Sequence, residues 1–168
     1  MTNRERVLAS LNHRQPDKVP YCIGFTAGIQ ARMAEYYGDP KFEWKLGNAL
    51  TVLRTDLPAG WREVAPGIWE DEFGVQWNRT VDKDIGVVSN QVINERNLDD
   101  YVFPDPHDPR RYEDFSAVVS DKGGQFVVSN IGFSLFERAW TLYGMENLLL
   151  AMAADPGFAH TLLDRILE

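Results

Sequence analysis

One aspartate and one polar corner offer the chemistry that residue type and spacing can carry in this chain. Asp56 follows the apolar run Thr51-Val52-Leu53 and stands near Pro58 and Gly60. A carboxylate at the C-terminal end of a strand in a parallel α/β sheet sits where ligands collect. Asp56 therefore reads as a cleft residue, with a solvated aspartate as the alternative. The second group, Asn130, Ser134, Glu137, Arg138 and Trp140, follows the apolar run 125–131. Polar side chains at such a strand-to-helix corner can face a pocket. The alternative is a surface helix face with Trp140 in the core. Glu137 and Arg138 are neighbours and point apart on a helix, so only one of them faces inward.

Other residues that could do chemistry lack the necessary spacing. His13, His107 and His160 are far apart, and Cys22 has no close partner, so no metal site is expected within this chain. Gly132-Phe133-Ser134 follows a strand, but Phe136 stands where a nucleophile elbow needs its second glycine. Ser134-x-x-Glu137 reads instead as a capping box. Gly123-Gly124 precedes a strand, which makes it a turn and not a phosphate loop. Glu70, Asp71, Glu72, Asp82 and Asp84 read as the solvated edge of a ribbon. Asn78-x-Thr80 matches a glycosylation acceptor, which a cytoplasmic chain does not use.

The elements that must position these residues can be read in outline. Thr2-x-x-Glu5 is a capping box opening a helix to about Asn12. Residues 21–25 lie between breakers and read as a buried strand. A helix follows through Ile29, Met33, Tyr36 and Tyr37, with Gly38 as its C-cap. Helix is expected over 41–50 and a short strand over 51–53. A β-rich excursion at about 58–109 contains a hairpin over 68–77, turning near Asp71-Glu72-Phe73-Gly74. The three prolines of 103–109 make a rigid loop that leads to a helix over 109–119. Strand is expected over 125–131, and then helices through Trp140, over 145–153 and from Pro156. Strands followed by helices are the pattern of a parallel α/β sheet. The chain stops at Arg165-Ile166-Leu167-Glu168 without a helix stop signal, which reads as truncation within a helix.

Composition excludes several classes. The 17 Lys and Arg against 25 Asp and Glu give a net charge of −8, unlike a duplex nucleic-acid or anionic-membrane binder. The same charge makes a heavily anionic substrate awkward unless positive charge is gathered locally. One cysteine forbids an internal disulfide. No apolar run approaches the ~20 residues of a membrane span, and no signal-peptide core follows the charged N-terminus. These features together indicate a cytoplasmic protein.

The segment Arg4-Glu5-Arg6-Val7-Leu8-Ala9, continued by Leu11-Asn12-His13-Arg14-Gln15-Pro16-Asp17-Lys18-Val19-Pro20, resembles the opening of the uroporphyrinogen decarboxylase superfamily. Residues 71–77 and Phe103-Pro104-Asp105-Pro106 resemble its divergent, decarboxylase-like branch, and 132–156 is similar to the segment before its midpoint. The resemblance implies a fold: α/β, the N-terminal half of a (β/α)8 TIM barrel, with an N-terminal helix and a β-ribbon insertion, over residues 1–168. It also implies a lyase-type decarboxylation related to porphyrin metabolism, acting on a small-molecule substrate. The alternatives are a corrinoid-dependent methyltransferase, with zinc and a corrinoid protein as partners, or a non-catalytic half-barrel module that dimerises. No cofactor is expected in this half, which is expected to be inactive alone. Asp56 matches the family's catalytic aspartate. The arginine-bearing segment that clamps substrate carboxylates falls at Phe25-Thr26-Ala27-Gly28-Ile29, where both arginines are absent. Thr26 and Arg32, one turn on, are then the substrate-binding residues there, with Glu137, Arg138 and Trp140 at the later corner. Trp140 stands where the family carries a tyrosine.

Overall fold

The structure, a computed structural model, describes residues 1–57 and 60–168. Pro58, expected to open the β-rich excursion, lies outside the described residues. In chain order the elements are α1 (Asn3–Leu11), α2 (Ala27–Tyr37), β1 (Leu50–Arg54), β2 (Arg62–Ala65), β3 (Ile68–Glu70), β4 (Gln76–Asn78), β5 (Val87–Val88), α3 (Phe115–Asp121), β6 (Phe126–Asn130), α4 (Leu135–Tyr143), α5 (Met145–Ala154) and α6 (Pro156–Leu167). They divide into two compact units. The first is Met1–Thr55 with Pro109–Asn130, and the second is Asp56–Asp108 with Ile131–Glu168.

In the first unit, α1 starts as its sequence predicts. The Thr2 hydroxyl accepts from the Glu5 N–H at 3.2 Å, and the Glu5 carboxylate accepts from the Thr2 N–H at 2.7 Å. β1 and β6 form a parallel pair running from Leu50 opposite Phe126 to Arg54 opposite Asn130. Asn48, buried beside the start of β1, ties three segments together. Its side chain both donates to and accepts from the backbone of Ile23, and its carbonyl accepts from Asn3 and Gln125. Phe42, fully buried, stacks on Tyr37 at 5.5 Å and meets Phe25 edge-on at 5.3 Å. That contact anchors the C-terminal end of α2, which itself buries no residue completely.

The second unit carries the larger core. β2 to β5 form an antiparallel sheet in sequential order. The hairpin expected over 68–77 is formed by β3 and β4, in register Trp69 opposite Trp77. Its turn places Gly74 at φ 77°, a conformation that glycine adopts without steric cost. Val75 and Trp77 from this hairpin are buried in one cluster with Ile93, Leu142, Leu148 and Leu162. The N–H groups of Val92 and Ile93 both donate to the Leu142 carbonyl, at 2.9 and 3.0 Å.

Several expectations do not hold. The half-barrel is not formed: β1 has β6 as its parallel partner, and the other four strands bond antiparallel in a separate sheet. Residues 21–25 are not a buried strand. A single backbone bond, Ala49 N–H to Tyr21 O, joins them to the start of β1, and the Asn48 amide takes the place of further ladder bonds at Ile23. Instead of a helix over 41–50 there is a 3₁₀ turn, Phe42–Leu46, closed by Gly47 at φ 77°. A Cβ on Gly47 would lie 2.9 Å from the Tyr21 hydroxyl, so both conformation and space require glycine there. The helix over 109–119 is split into a 3₁₀ turn, Pro109–Arg111, and α3. No helix among the described residues is long and apolar enough to cross a membrane.

Candidate functional site

The expected site residues fall in both units. Thr26 is the N-cap of α2; it is exposed, and its side chain makes no capping bond. Arg32 projects from the middle of the same helix. With Ile29, Met33, Glu35 and Tyr36 it lines a shallow open groove of about 520 Å³. Among the described residues no hydrogen bond or ion pair engages its guanidinium. An exposed cation beside apolar carbon can seat a carboxylate attached to an apolar body, since Arg presents a planar fork matched to that group.

Asp56 lies two residues beyond β1 and is exposed. Its placement after a parallel strand matches the sequence reading. Just before it in the chain, the Thr55 carbonyl accepts from Arg111 Nη1 at 2.9 Å.

In the second unit Glu137 is exposed and Arg138 turns inward, as their adjacency requires. The Arg138 side chain is 12% exposed and its Nη1 donates to Asp71 Oδ2 at 3.2 Å. Its guanidinium carbon stands 3.7 Å from the centre of the Phe73 ring, within cation–π range. Asp71 accepts three further bonds: Phe73 N–H at 2.9 Å and Val75 N–H at 3.0 Å on Oδ1, and Trp77 Nε1–H at 3.1 Å on Oδ2. Asp71 is thus not part of a solvated acidic edge. It is the buried organiser of the hairpin turn. Glu70 is also engaged: Arg62 and Gln76 donate to it, and the Arg62 guanidinium holds its carboxyl below the usual range. Trp140 is half-buried against the core. Ser134 does occupy the N-cap of α4, but its hydroxyl makes no capping bond, so the expected capping box is not formed.

Sequence reasoning misses Asp71, although one signal points to it. Asp at the first position of Asp-x-x-Gly, in a hairpin flanked by tryptophans, accepts turn N–H groups through its side chain. His13, His107 and His160 are exposed, and among the described residues no group of three His, Cys, Asp or Glu side chains converges as a metal site.

Charge is divided very unevenly. The first unit holds 11 Lys and Arg against 8 Asp and Glu, a net of +3. The second holds 6 against 17, a net of −11. Part of the first unit's positive charge is internally paired: Arg6 with Asp17, and Lys45 with Asp39. Arg6 and Lys45 hold those two carboxyls below their usual range. Arg32 has no such partner among the described residues.

Two tyrosines largely withdrawn from solvent give the second unit an alkaline signature. Burial, more than any neighbour, pushes Tyr101 and Tyr143 up to about 12. The Tyr143 hydroxyl donates to Glu95 and that of Tyr101 to the Phe73 carbonyl. The folded state therefore favours both neutral phenols. That stabilisation is complete below the ordinary value near 10 and is lost as pH rises through 12. In an absorbance titration at 295 nm, two of the six tyrosines should ionise in the folded protein only near pH 12. Unfolding at about pH 11, between the ordinary and the raised values, should release both at once.

No protein-family model matches the chain, and neither the curated proteins nor the solved structures provide a match.

Proposed function

We propose that this chain is a uroporphyrinogen decarboxylase-like lyase that acts on a small carboxylated molecule held by the first unit. The carrying observation is the Arg32 guanidinium, unengaged among the described residues at a groove it lines with Ile29, Met33, Glu35 and Tyr36, in a unit of net charge +3. The chain's net charge of −8 is borne by the second unit, and the first unit by itself is net positive. The resemblance of residues 4–20 to the opening of that superfamily supports the reaction class. The reading draws on motif and charge, not on the barrel, which is not formed.

In such a lyase Arg32 holds a substrate carboxylate that is not lost. The bond to the departing carboxyl carbon then breaks, carbon dioxide leaves, and a proton replaces it. The test is carbon dioxide release from carboxylated pyrroles, including uroporphyrinogen, by the protein and its variants. Arg32→Gln is expected to raise KM about tenfold, the value of one charge-assisted contact. Absence of release from every carboxylated pyrrole would overturn the assignment.

A further inference from the structure

The parallel pair of β1 and β6 exposes one apolar side chain, that of Val52. Along β1, Val52 and Arg54 are exposed while Thr51 and Leu53 between them are half-buried. Alternation places Val52 and Arg54 on one face, and the register sets Val128 and Asn130 directly beside them. Val52 is 36% exposed. Parallel strands are ordinarily covered on both faces, and an exposed valine on one of them is out of keeping with that rule. This face has a definite chemistry. Val52 and the half-buried Val128 make an apolar floor. Arg54 makes a charged lip at the C-terminal end of β1, the end at which parallel sheets receive ligands. The Arg111 guanidinium, bonded to the Thr55 carbonyl, adds a second positive charge one residue further on.

We infer that this face is a ligand subsite in which Arg54 receives a carboxylate whose apolar or aromatic framework lies on Val52 and Val128. The occupant is a small amphipathic anion and not a protein surface. The cation stands at the lip of an apolar floor of one valine from each strand, within a unit of net charge +3. The inference rests on the proposed lyase reading for the identity of the substrate, and on this face alone for the presence of a site.

The test titrates the folded protein with 2-naphthoate and its neutral counterpart 2-naphthamide, followed by ligand fluorescence and by ¹H–¹⁵N spectra. Naphthoate is expected to bind about tenfold more tightly than the amide. Arg54→Gln should abolish that preference, Arg54→Lys should keep part of it, and Arg4→Gln, an exposed cation elsewhere in the unit, should leave it intact. Val52→Asp should weaken both ligands. Circular dichroism of each variant verifies the fold. Naphthoate binding that is lost in Arg32→Gln and retained in Arg54→Gln would overturn this subsite and leave the lyase reading standing. Loss in Arg54→Gln together with no carbon dioxide release would do the reverse. A dimer that dissociates on Val52→Asp, with no naphthoate bound by the wild-type protein, would also overturn it.

Discussion

Arg138→Ala is expected to lower the unfolding free energy of the second unit by about 3–5 kcal/mol, the cost of leaving a buried charge without its partner. The partner is Asp71, 8% exposed as a residue and 6% in its side chain. Its four accepted bonds divide into two from turn N–H groups on Oδ1 and two on Oδ2. The turn bonds survive the substitution. Oδ2 then keeps the Trp77 indole N–H alone, and the carboxylate has lost its counter-charge. The alanine also removes the guanidinium from the face of Phe73, so packing is lost together with charge. Domains of this size are stable by about 5–15 kcal/mol in total. The variant should consequently populate unfolded material at moderate temperature, seen as a large drop in the urea midpoint. Asp71→Asn tests the same contact from the other side. Its amide would present N–H toward the indole and guanidinium donors, and a cost of about 2–3 kcal/mol follows. The two variants should not be additive. Combining Asp71→Asn with Arg138→Met removes both charges, and a coupling of at least about 1 kcal/mol is expected in the double-mutant cycle. A loss below about 1 kcal/mol in Arg138→Ala, with additive effects in the cycle, would mean that the ion pair is incidental.

The same pair shows what is and is not legible in the sequence. Local signals with a stereochemical mechanism are legible: the Thr2–Glu5 capping box, Gly38 at the end of α2, and the hairpin of residues 68–77 with its glycine turn. Each depends on residues within a few positions of one another. The adjacency rule also shows that only one of Glu137 and Arg138 can face inward. What it cannot show is the group that Arg138 meets, because Asp71 is 67 residues away in the chain. Charge alone places Asp71 on a solvated edge; the four donors brought to it by the turn, the tryptophan and α4 place it inside. The barrel expectation fails for a similar reason. Alternating strand and helix signals fix the order of elements but not which strands pair. Asn48, a residue with no strand propensity, decides how residues 21–25 are held. The net charge of −8 reads as a uniform property of the chain, yet it is the sum of +3 and −11 in two units whose segments interleave in sequence.

Leu148→Ala is expected to cost about 2–5 kcal/mol, and Leu149→Ala and Leu150→Ala each less than about 1 kcal/mol. The three leucines are consecutive in Met145-Glu146-Asn147-Leu148-Leu149-Leu150-Ala151-Met152, a sequence apolar around nearly its whole circumference. Helical periodicity cannot choose among them, because an all-round apolar helix has no unique inward face. The neighbours choose. Leu148 and Ala151 are one turn apart and face α4 and α6, with exposures of 0% and 7%. Leu149 and Leu150 project from the other side, at 53% and 59%. Truncating Leu148 removes buried carbon and leaves a void beside Leu142 and Leu162, both fully buried in the same cluster. The void adds to the lost transfer free energy because close-packed neighbours relax only in part. Truncating Leu149 or Leu150 removes carbon that already meets solvent. Thermal and urea unfolding of the three variants would show the contrast directly. Equal losses at all three positions would place the exposed side of α5 against a partner surface, and the extra stability would then depend on protein concentration.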